Sequence, residues 1–461
     1  MPSPRRGRLS RRDKQVLFVQ GWLGRLAEDE RYRADIKRDG SAVGHTALQY
    51  GLASAHRLVR KADRRLGAFE RRAGSSGRSA EELLEASLPN SAQLRGVAVG
   101  GRAGVTVLGH LDLPNVFGGM LTLLVLGALL AKRLDRPLRL VATGGLSLGT
   151  ADQLLQVLAE AGVELRSTDV SVIDNRTSMG MRPVLPLHPD DVVVVSDWTD
   201  ARLAGGLQRG RPFVYLIQDF EPNFYGAGDR YVLAEATYRS GGHVKVFNTS
   251  VLREFFMERG YPGAVDGLVF EPAVGTRPQQ GAAEGVSTGR QGRKLFLYGR
   301  PQVERNFFYV ALAAIDRAVT AEHAAEGWSF WTGGDATLPD LSLRSGAVLR
   351  SLGKLPLAEY HAFASSVEVA VTPMLAPHPN YPTLEFAARG SRVVTTSFAT
   401  KTDLTRYSPA ITCCEPTIEG LAGAIATALG DPPLDGSKAS LPRSWPDAMA
   451  GALDALMPSF V

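Results

Sequence analysis

The sequence predicts an α/β protein in which two Rossmann-like domains face each other across a central cleft, preceded by an N-terminal helical extension. Two observations indicate this fold class. From about residue 103, short runs that are apolar along their whole length alternate with helical patterns, which is typical of a parallel sheet covered on both faces. The alternation stops in a Gly- and Gln-rich stretch at 275–292 and then restarts, so we expect two such units joined by a flexible linker or loop.

The first unit, residues 101–274, contains six candidate strands. Each is a short apolar run, and the apolar stretch at 120–131 predicts a helix after the first of them. The third strand has two alternatives, residues 163–166 or 170–173. The other five candidates are residues 105–108, 138–143, 191–195, 213–218 and 244–248.

The second unit, residues 293–435, repeats the same alternation of apolar runs and helical patterns. Its candidate strands are residues 294–298, 328–332, 348–352, 367–372 and 393–396, and its candidate helices are 306–322, 357–366, 383–389 and 418–429. For the C-terminal segment, residues 436–461, we expect a helix that packs back on the N-terminal domain.

Residues 1–100 differ from the rest of the chain in charge. They carry 20 Lys and Arg against 11 Asp and Glu, whereas residues 101–461 carry 32 against 36. A basic tail with a helical extension can contact an anionic membrane surface, or it can be a solvated segment. No nucleic-acid-binding motif follows it, so the sequence indicates no nucleic-acid partner.

Composition excludes several classes of protein. With 44% hydrophobic and 21% charged residues, the 461-residue chain is not wholly disordered. Cys413 and Cys414 are the only cysteines and are adjacent, so no disulfide framework is expected. The longest apolar stretch is about a dozen residues, too short for a membrane span, and residues 1–14 lack the apolar core of a secretory signal. We expect a cytoplasmic protein, with peripheral contact at the inner membrane face as an option.

A Pro-rich loop and a helix start follow the strand that ends at Thr372. We expect the helix to begin at Thr383, so that the N–H groups of Thr383 and Leu384 are unpaired and form an anion site. Glu385 lies in the first turn of this helix. Its carboxylate can stabilise the helix, or it can accept hydrogen bonds from the vicinal hydroxyl groups of a sugar.

Two arginines follow the first strand of the second unit. Gly299 lets the chain turn at the end of this strand, and Arg300 and Arg305 lie beyond it. Guanidinium groups suit a diphosphate because each can pair with two oxygens at once. The alternative is that both arginines are simply exposed on a loop.

Paired glycines follow the first strand of the first unit. Gly118 and Gly119 can bring backbone N–H groups close to a phosphate, or they can form a plain tight turn. They do not form a dinucleotide-binding GxGxxG pattern, and the chain contains no P-loop motif.

An acidic pair follows the strand at 213–218. Asp219 and Glu221 lie at the carboxyl edge of the predicted sheet, where one of them can act as a base toward a hydroxyl group. The pair could instead chelate a divalent cation. As a third alternative, one carboxylate caps a helix that begins near Pro222.

Three of these stretches together resemble a known family. QDFEPNFY, YGRPQVERNFF and PHPNYPTLEFAARGSRVVTT occur in that order and are similar to segments of the WsaF-type rhamnosyltransferases of surface-glycan assembly. More broadly, they resemble the retaining family-4 glycosyltransferases of GT-B fold. The resemblance covers roughly residues 103–430.

The resemblance implies roles for the candidate residues. Arg300 and Arg305 would bind the donor diphosphate, the N–H groups of Thr383 and Leu384 would hold its phosphates, and Glu385 would bind the ribose. The nucleobase would rest against Gly353, Lys354 and Leu355. The glycine loop of the acceptor domain would be Gly118 and Gly119, and the loop that reaches the reacting sugar would contain Asp219.

The sequence departs from the family-4 pattern at one position. The first glutamate of the Glu-x7-Glu signature would lie eight residues before Glu385, where this chain has Pro377, with His378 beside it. WsaF-type enzymes share a His-Pro-containing loop here, so the departure favours that branch. We include His378 and Tyr381 of this loop among the donor-binding candidates.

The resemblance implies the transfer of L-rhamnose from dTDP-rhamnose to a hydroxyl group of a glycan or lipid-linked acceptor, with no metal and no cofactor. Asp219, or else Glu221 or His110, would orient or deprotonate the acceptor. Arg300 and Arg305 would stabilise the departing diphosphate. Two alternatives stay open, namely a nucleotide-sugar epimerase or phosphorylase on the same fold, and a non-catalytic scaffold of glycan assembly.

Overall fold

The structure is a computed structural model. It describes residues 95–98, 100–110, 116, 118–144, 149–174, 184–207, 211–274, 293–321, 327–431 and 439–460. The expected linker at 275–292 lies outside these residues, and so does the expected helical extension within residues 1–100, of which only the end is described.

The N-terminal domain contains a seven-stranded parallel sheet. Its strands run in the order β4-β3-β2-β6-β7-β8-β9, while β1 and β5 form a separate parallel pair. The strands are β1 (Arg95–Ala98), β2 (Val105–His110), β3 (Leu138–Gly144), β4 (Val170–Asp174), β5 (Val184–Leu187), β6 (Val192–Val195), β7 (Phe213–Ile217), β8 (His243–Asn248) and β9 (Leu268–Phe270).

Helices connect these strands. They are α1 (Gly118–Leu134), α2 (Ala151–Glu160), α3 (Trp198–Gly206), α4 (Asp229–Arg239) and α5 (Ser250–Glu258). Strands β6 and β7 are buried along their whole length, because helices cover both faces of the sheet. Of the two alternatives for the third strand, residues 170–173 are correct and residues 163–166 are not in a strand.

The C-terminal domain repeats this architecture. Its sheet has the order β12-β13-β11-β10-β14-β15-β16, parallel except for the antiparallel edge strand β12. The strands are β10 (Arg293–Tyr298), β11 (Trp328–Gly333), β12 (Leu341–Ser342), β13 (Val348–Ser351), β14 (Val369–Val371), β15 (Arg392–Thr396) and β16 (Ile411–Cys414), and the helices are α6 (Phe308–Ala321), α7 (Leu357–Ala364), α8 (Tyr381–Ala388) and α9 (Ile418–Gly430).

The last helix, α10 (Trp445–Leu456), packs on the N-terminal domain. Its residues Met449, Leu453 and Leu456 are buried in the same hydrophobic cluster as α1 and β2. This explains why α1 is apolar around most of its circumference, since it lies between the sheet on one side and α10 on the other. Residues 122–131 of α1 are all buried.

The prediction of two Rossmann-like domains is confirmed by the topology of both sheets. Sequence patterns did not identify α2 to α5, β1, β5, β9, β12 or β16, which are short or weakly periodic. None of the helices in the described residues combines the length and the apolarity that crossing a bilayer requires.

Candidate active site

The carboxyl ends of the two sheets border one cavity. Strand order reverses between β2 and β6 in the first sheet and between β10 and β14 in the second, and loops that leave such a reversal point diverge and create a crevice. The cavity has a volume of about 550 Å³. Most of the predicted site residues line it: Gly118, Gly119, Asp219, Glu221, Arg300, Arg305, Gly353, Lys354, Leu355, His378, Tyr381 and Glu385.

Four predicted residues do not line the cavity, namely His110, Gly299, Thr383 and Leu384. Gly299 allows close packing instead. A Cβ atom at this position would lie 2.2 Å from Thr332 Oγ1, so only glycine lets the end of β10 approach β11 this closely. Gly299 therefore shapes the loop that carries Arg300, and we find no direct contact with the cavity.

The expected anion site at the N–H groups of Thr383 and Leu384 is wrong. Helix α8 begins at Tyr381, two residues earlier than expected, and Asn380 is its N-cap. The Asn380 side-chain oxygen accepts a hydrogen bond from the Thr383 N–H at 2.8 Å, which satisfies that donor. Leu384 is fully buried in the hydrophobic core. The sequence analysis assumed that the helix begins at Thr383. Because Asn380 lies before that position, its role as the N-cap was not recognised.

Arg305 and Asp219 form an ion pair between the two domains. Arg305 Nε lies 3.7 Å from Asp219 Oδ2, and the guanidinium carbon lies 4.0 Å from the centre of the Phe224 ring. Burial raises the pKa of the Asp219 carboxyl, and the positive charge of Arg305 opposes that rise. Arg300, by contrast, is exposed at the cavity.

Glu221 caps a helix, although not the one that the sequence indicated. Its Oε2 accepts a hydrogen bond from the Trp198 N–H at 2.7 Å, at the start of α3, where Asp197 is the N-cap. Burial and the nearby Asp197 raise the pKa of Glu221 well above its ordinary value. Glu221 still lines the cavity, but this hydrogen bond engages one of its oxygens.

His378 is a buried, neutral histidine at the cavity. Its Nδ1 accepts a hydrogen bond from the Asn380 N–H at 3.0 Å, so the ring proton lies on Nε2. Burial, with Lys401 and Arg305 nearby, lowers its pKa to about 3. Among the described residues the buried Nε2 has no hydrogen-bond partner.

Glu385 is held by a residue that the sequence analysis missed. The Tyr360 hydroxyl donates a hydrogen bond to Glu385 Oε2 at 2.8 Å, and both side chains line the cavity. Burial raises the pKa of Glu385, while Arg389 and the bond from Tyr360 oppose that rise. Tyr360 lies in α7, and nothing in its local sequence distinguishes it from an ordinary helical aromatic residue.

Tyr381 joins the two domains. Its hydroxyl forms hydrogen bonds with Thr122 Oγ1 of α1 and with Asn248 Nδ2, the latter at 2.7 Å. In addition, Gln218 donates to the Gly119 carbonyl oxygen at 2.8 Å and so holds the glycine loop.

Lys401 is a second residue that the sequence analysis missed. It is fully buried, and its Nζ donates to the Met374 carbonyl oxygen at 2.8 Å. Burial lowers its pKa to about 8. Its charge favours the ionised form of Asp219.

One cluster in the described residues could hold a metal ion. His110, Asp197 and Asp200 place their ligand atoms within 4.8 Å of one another. Asp200 is fully buried, and burial together with Asp197 raises its pKa to about 7, so a proton could also occupy this cluster. The cluster lies at the carboxyl ends of β2 and β6 but outside the residues that line the cavity.

Among solved structures, the chain is similar to sucrose-phosphate synthase from Thermosynechococcus elongatus, with 13% identity and a TM-score of 0.47 over 78% of this chain and 95% of that one. It is also similar to WaaG, a glycosyltransferase involved in lipopolysaccharide biosynthesis, with 14% identity and a TM-score of 0.46 over 77% of this chain and 95% of that one.

A curated relative is the O-antigen biosynthesis protein RfbC of Myxococcus xanthus. It is 32% identical over 251 residues, which is 52% of this chain and 18% of the relative. The chain thus spans less than a fifth of the length of this relative.

Family models match both domains. The model of the WsaF N-terminal domain matches residues 107–250, and the model of the WsaF C-terminal domain matches residues 293–426. The two matches occur in chain order, each falls on one Rossmann-like domain, and together they cover more than half of the chain. The protein therefore belongs to the WsaF family.

Proposed function

We propose that the protein transfers a sugar, L-rhamnose, from a dTDP-linked donor to a hydroxyl group of a growing surface glycan. The observation that carries the proposal is the charge on the C-terminal wall of the cavity. Arg300 and Arg305 line this wall after β10, and Glu385 lines it in α8. Guanidinium groups suit a diphosphate, whereas a carboxylate repels phosphate and suits sugar hydroxyls. The wall therefore matches a nucleoside diphosphate.

The nucleobase would lie against the strand ends of the C-terminal domain. Gly353 and Leu355 line the cavity there, together with the rings of Phe296 and Phe363. A flat nucleobase fits such a surface. Backbone groups can form hydrogen bonds with the edge of the base, while the aromatic and aliphatic side chains cover its face.

Arg305 would stabilise the leaving diphosphate. When the bond between the sugar and the diphosphate breaks, negative charge grows on the diphosphate oxygens, and a fixed guanidinium group in a partly buried site stabilises it. Phe224 lies against the Arg305 guanidinium group and limits its movement. Arg300, which is exposed, would move into contact with the diphosphate once the nucleotide is bound.

Asp219 would act on the acceptor. In the structure it pairs with Arg305 at 3.7 Å, and a bound diphosphate would compete for that guanidinium group. Asp219 could then accept the proton of an acceptor hydroxyl as the hydroxyl oxygen attacks the sugar. The glycine loop at Gly118 and Gly119 lines the same side of the cavity and would support the acceptor.

His378 would orient the donor sugar. Its Nε2–H has no partner among the described residues, and it lies next to Pro377, where related enzymes carry a glutamate. A neutral imidazole donates one hydrogen bond and does not repel the positive charge that grows on the sugar ring. This suits a contact to a sugar hydroxyl.

The surface-glycan acceptor is supported by the family and by the name of the relative, an O-antigen biosynthesis protein. A lipid-linked acceptor would place the enzyme at an anionic membrane, and the basic residues 1–100 would suit that contact. Flotation with vesicles of phosphatidylcholine alone and with added phosphatidylglycerol tests this part. Equal binding to both would argue against it.

A nucleotide panel tests the donor site. The thermal shift of the full chain should be larger with dTDP than with UDP, GDP or ADP. In a separate activity assay, purified protein incubated with dTDP-rhamnose and a rhamnan-type acceptor should release dTDP and extend the glycan. Release of an epimer or a sugar phosphate from the donor alone would support the epimerase or phosphorylase alternative instead. Absence of any nucleotide binding would contradict the proposal.

A chelator test addresses the proposal that arginines carry the charge of the leaving group without a metal ion. We expect the same rate of transfer in EDTA as in buffer. A loss of activity that Mg²⁺ or Mn²⁺ restores would instead point to the cluster of His110, Asp197 and Asp200, and the variant Asp200→Asn would then be the next measurement.

A further inference from the structure

Three side chains that can bind a metal ion meet at the carboxyl edge of the N-terminal sheet. His110 is the last residue of β2, and Asp197 and Asp200 lie at the start of α3. The two aspartates are three positions apart, so both carboxylates lie on one side of the first helical turn. This turn follows β6, the strand next to β2, which explains why the three ligand atoms lie within 4.8 Å of one another.

Asp200 is the residue that points to a bound cation. Its side chain is 0% exposed, and neither of its carboxylate oxygens has a hydrogen-bond partner of ordinary geometry among the described residues. A buried carboxylate is costly unless a positive group compensates it. The nearby carboxylate of Asp197 adds to this cost, because two negative charges repel each other.

A β-bulge brings a fourth polar group to the same place. The pairing of β2 with β3 shifts at His110, whose partner is Gly144 rather than Thr143. Thr143 is 2% exposed, and within the described part of the chain its hydroxyl also lacks a hydrogen-bond partner of ordinary geometry. Bulges re-aim side chains, and this one leaves a buried hydroxyl oxygen close enough to Asp200 to affect its pKa.

The donor set suits a transition-metal ion such as Zn²⁺. One imidazole nitrogen and two carboxylate oxygens are ligands that Zn²⁺ accepts, whereas Mg²⁺ prefers oxygen ligands and keeps several waters. Bonds from Zn²⁺ to these atoms are about 2.0–2.2 Å long, so atoms within 4.8 Å of one another can reach one ion after small side-chain rotations. Two ionised carboxylates and a neutral imidazole balance a double positive charge.

We propose that His110, Asp197 and Asp200 bind one divalent transition-metal ion of the Zn²⁺ class. The ion would tie the end of β2 to the start of α3, and the Thr143 hydroxyl or a water would fill a fourth position. The three ligands lie outside the residues that line the cavity, so the ion would stabilise the fold without taking part in sugar transfer. The inference does not rest on the proposed function, and it agrees with an unchanged rate of transfer in EDTA.

Zinc titration of the full chain tests the proposal, after bound metal has been removed with EDTA and the EDTA by gel filtration. Calorimetry at pH 7.5 should show one Zn²⁺ bound per chain. The midpoint of thermal denaturation should rise by about 3–6 °C when free Zn²⁺ is about 100 times its Kd. Mg²⁺ should bind about 100-fold more weakly, and equal binding of the two ions would contradict a histidine ligand.

The variant Asp200→Asn keeps the shape of the side chain and removes its charge. Its affinity for Zn²⁺ should fall by more than about 100-fold, which is the upper end of the loss when a group that only orients a ligand is removed. In EDTA the variant should denature at the same temperature as the wild-type protein or a higher one, because no uncompensated charge remains at this buried position. Zn²⁺ should therefore stabilise only the wild-type protein.

A matched control is Asp266→Asn, which removes the charge of an exposed aspartate in the same domain and should leave zinc binding unchanged. Unchanged zinc binding in Asp200→Asn would place the ion on other groups and overturn the proposal. Absence of zinc binding by the wild-type protein would also overturn it, and a proton shared by the two carboxylates would then be the compensation. Both results leave the nucleotide site untouched, because the nucleotide panel tests that site separately.

Discussion

Arg305 stands at the contact between the two halves of the site. It belongs to the C-terminal domain, yet its nearest carboxylate is Asp219 of the N-terminal domain, and burial lowers its pKa while Asp219 raises it. The guanidinium group is therefore placed to exchange a protein carboxylate for a substrate diphosphate, as the proposed mechanism requires.

Replacing Arg305 should reduce turnover far more than it reduces stability. In Arg305→Ala we expect kcat to fall by about 100- to 1000-fold, because a preorganised donor to the leaving group is lost. Arg344→Ala removes an exposed arginine from the same domain and should leave kcat unchanged. Steady-state kinetics with dTDP-rhamnose measure both variants, and an unaffected kcat in Arg305→Ala would refute the role of Arg305.

The residual activity of Arg305→Ala should also respond differently to pH. Arg305 lowers the pKa of Asp219, so removing it raises that pKa, and the acid limb of the rate profile should move to higher pH. An unmoved acid limb would show that Asp219 is not the group that titrates in the reaction.

His378 gives the folded protein a defined response to acid. Its pKa is lowered to about 3 from an ordinary value of 6.5, so between these values the unfolded chain binds a proton that the folded protein does not. The free energy of unfolding should therefore fall as pH decreases below about 6.5, and His378 should contribute up to about 1.4 kcal/mol per pH unit to the decline.

The variant His378→Gln should lose this contribution. Urea unfolding at pH 5 and at pH 7.5 should show a smaller difference between the two conditions for His378→Gln than for the wild-type protein. Part of the decline should persist, because burial also lowers the pKa of His243 to about 4. The same difference in both proteins would mean that His378 is protonated in the fold.

At the scale of a single element, α8 shows how a helix start is built. Asn380 has a φ of +58°, a left-handed conformation that asparagine tolerates better than most residues. Its side chain accepts from the Thr383 N–H and donates to the Thr372 carbonyl oxygen at 3.1 Å. One buried side chain therefore joins the start of α8 to the end of the preceding strand.

Asn380→Ala should destabilise the protein by about 2–4 kcal/mol, since it removes an N-cap, leaves a buried carbonyl group with one bond fewer and places alanine in a left-handed conformation. Ser444→Ala removes the exposed N-cap of α10 and should cost about 1 kcal/mol. Urea denaturation measures both. Equal losses would show that the buried setting of Asn380 adds nothing to an ordinary cap.

At the scale of the whole molecule, several contacts hold the two domains together around the cavity. Tyr381 reaches from α8 to Thr122 and Asn248, Arg305 reaches Asp219, and α10 crosses from the end of the chain to the N-terminal domain. The first two of these contacts border the proposed substrate site. The side chains that line the cavity therefore also hold the two domains against each other.

Tyr381→Phe should therefore favour a more open arrangement of the domains. It removes the hydroxyl that bonds to Asn248 and leaves a buried amide with one partner fewer. Single-molecule energy transfer between dyes on the two domains should report a larger mean distance than in the wild-type protein. Tyr261→Phe, which loses a hydroxyl bond to Glu235 within the N-terminal domain, should not change this distance.

The fold class and the loops that border the cavity could be predicted from the sequence. Apolar runs of strand length identify parallel strands because both faces of such a strand are buried, and the ends of these strands all lie on one edge of the sheet. Gly118, Asp219, Arg300 and Glu385 could therefore be assigned to the cleft from their positions after strands or at helix starts.

The folded structure was needed to show which side chains meet and which of their atoms remain available. The Asp219–Arg305 pair joins residues from two domains, and the Tyr360–Glu385 bond joins two helices. Local patterns do not encode such pairings, because they depend on how the elements pack rather than on the period of one element. For the same reason, the sequence alone led to a phosphate at the Thr383 N–H, a donor that the folded chain already pairs with Asn380.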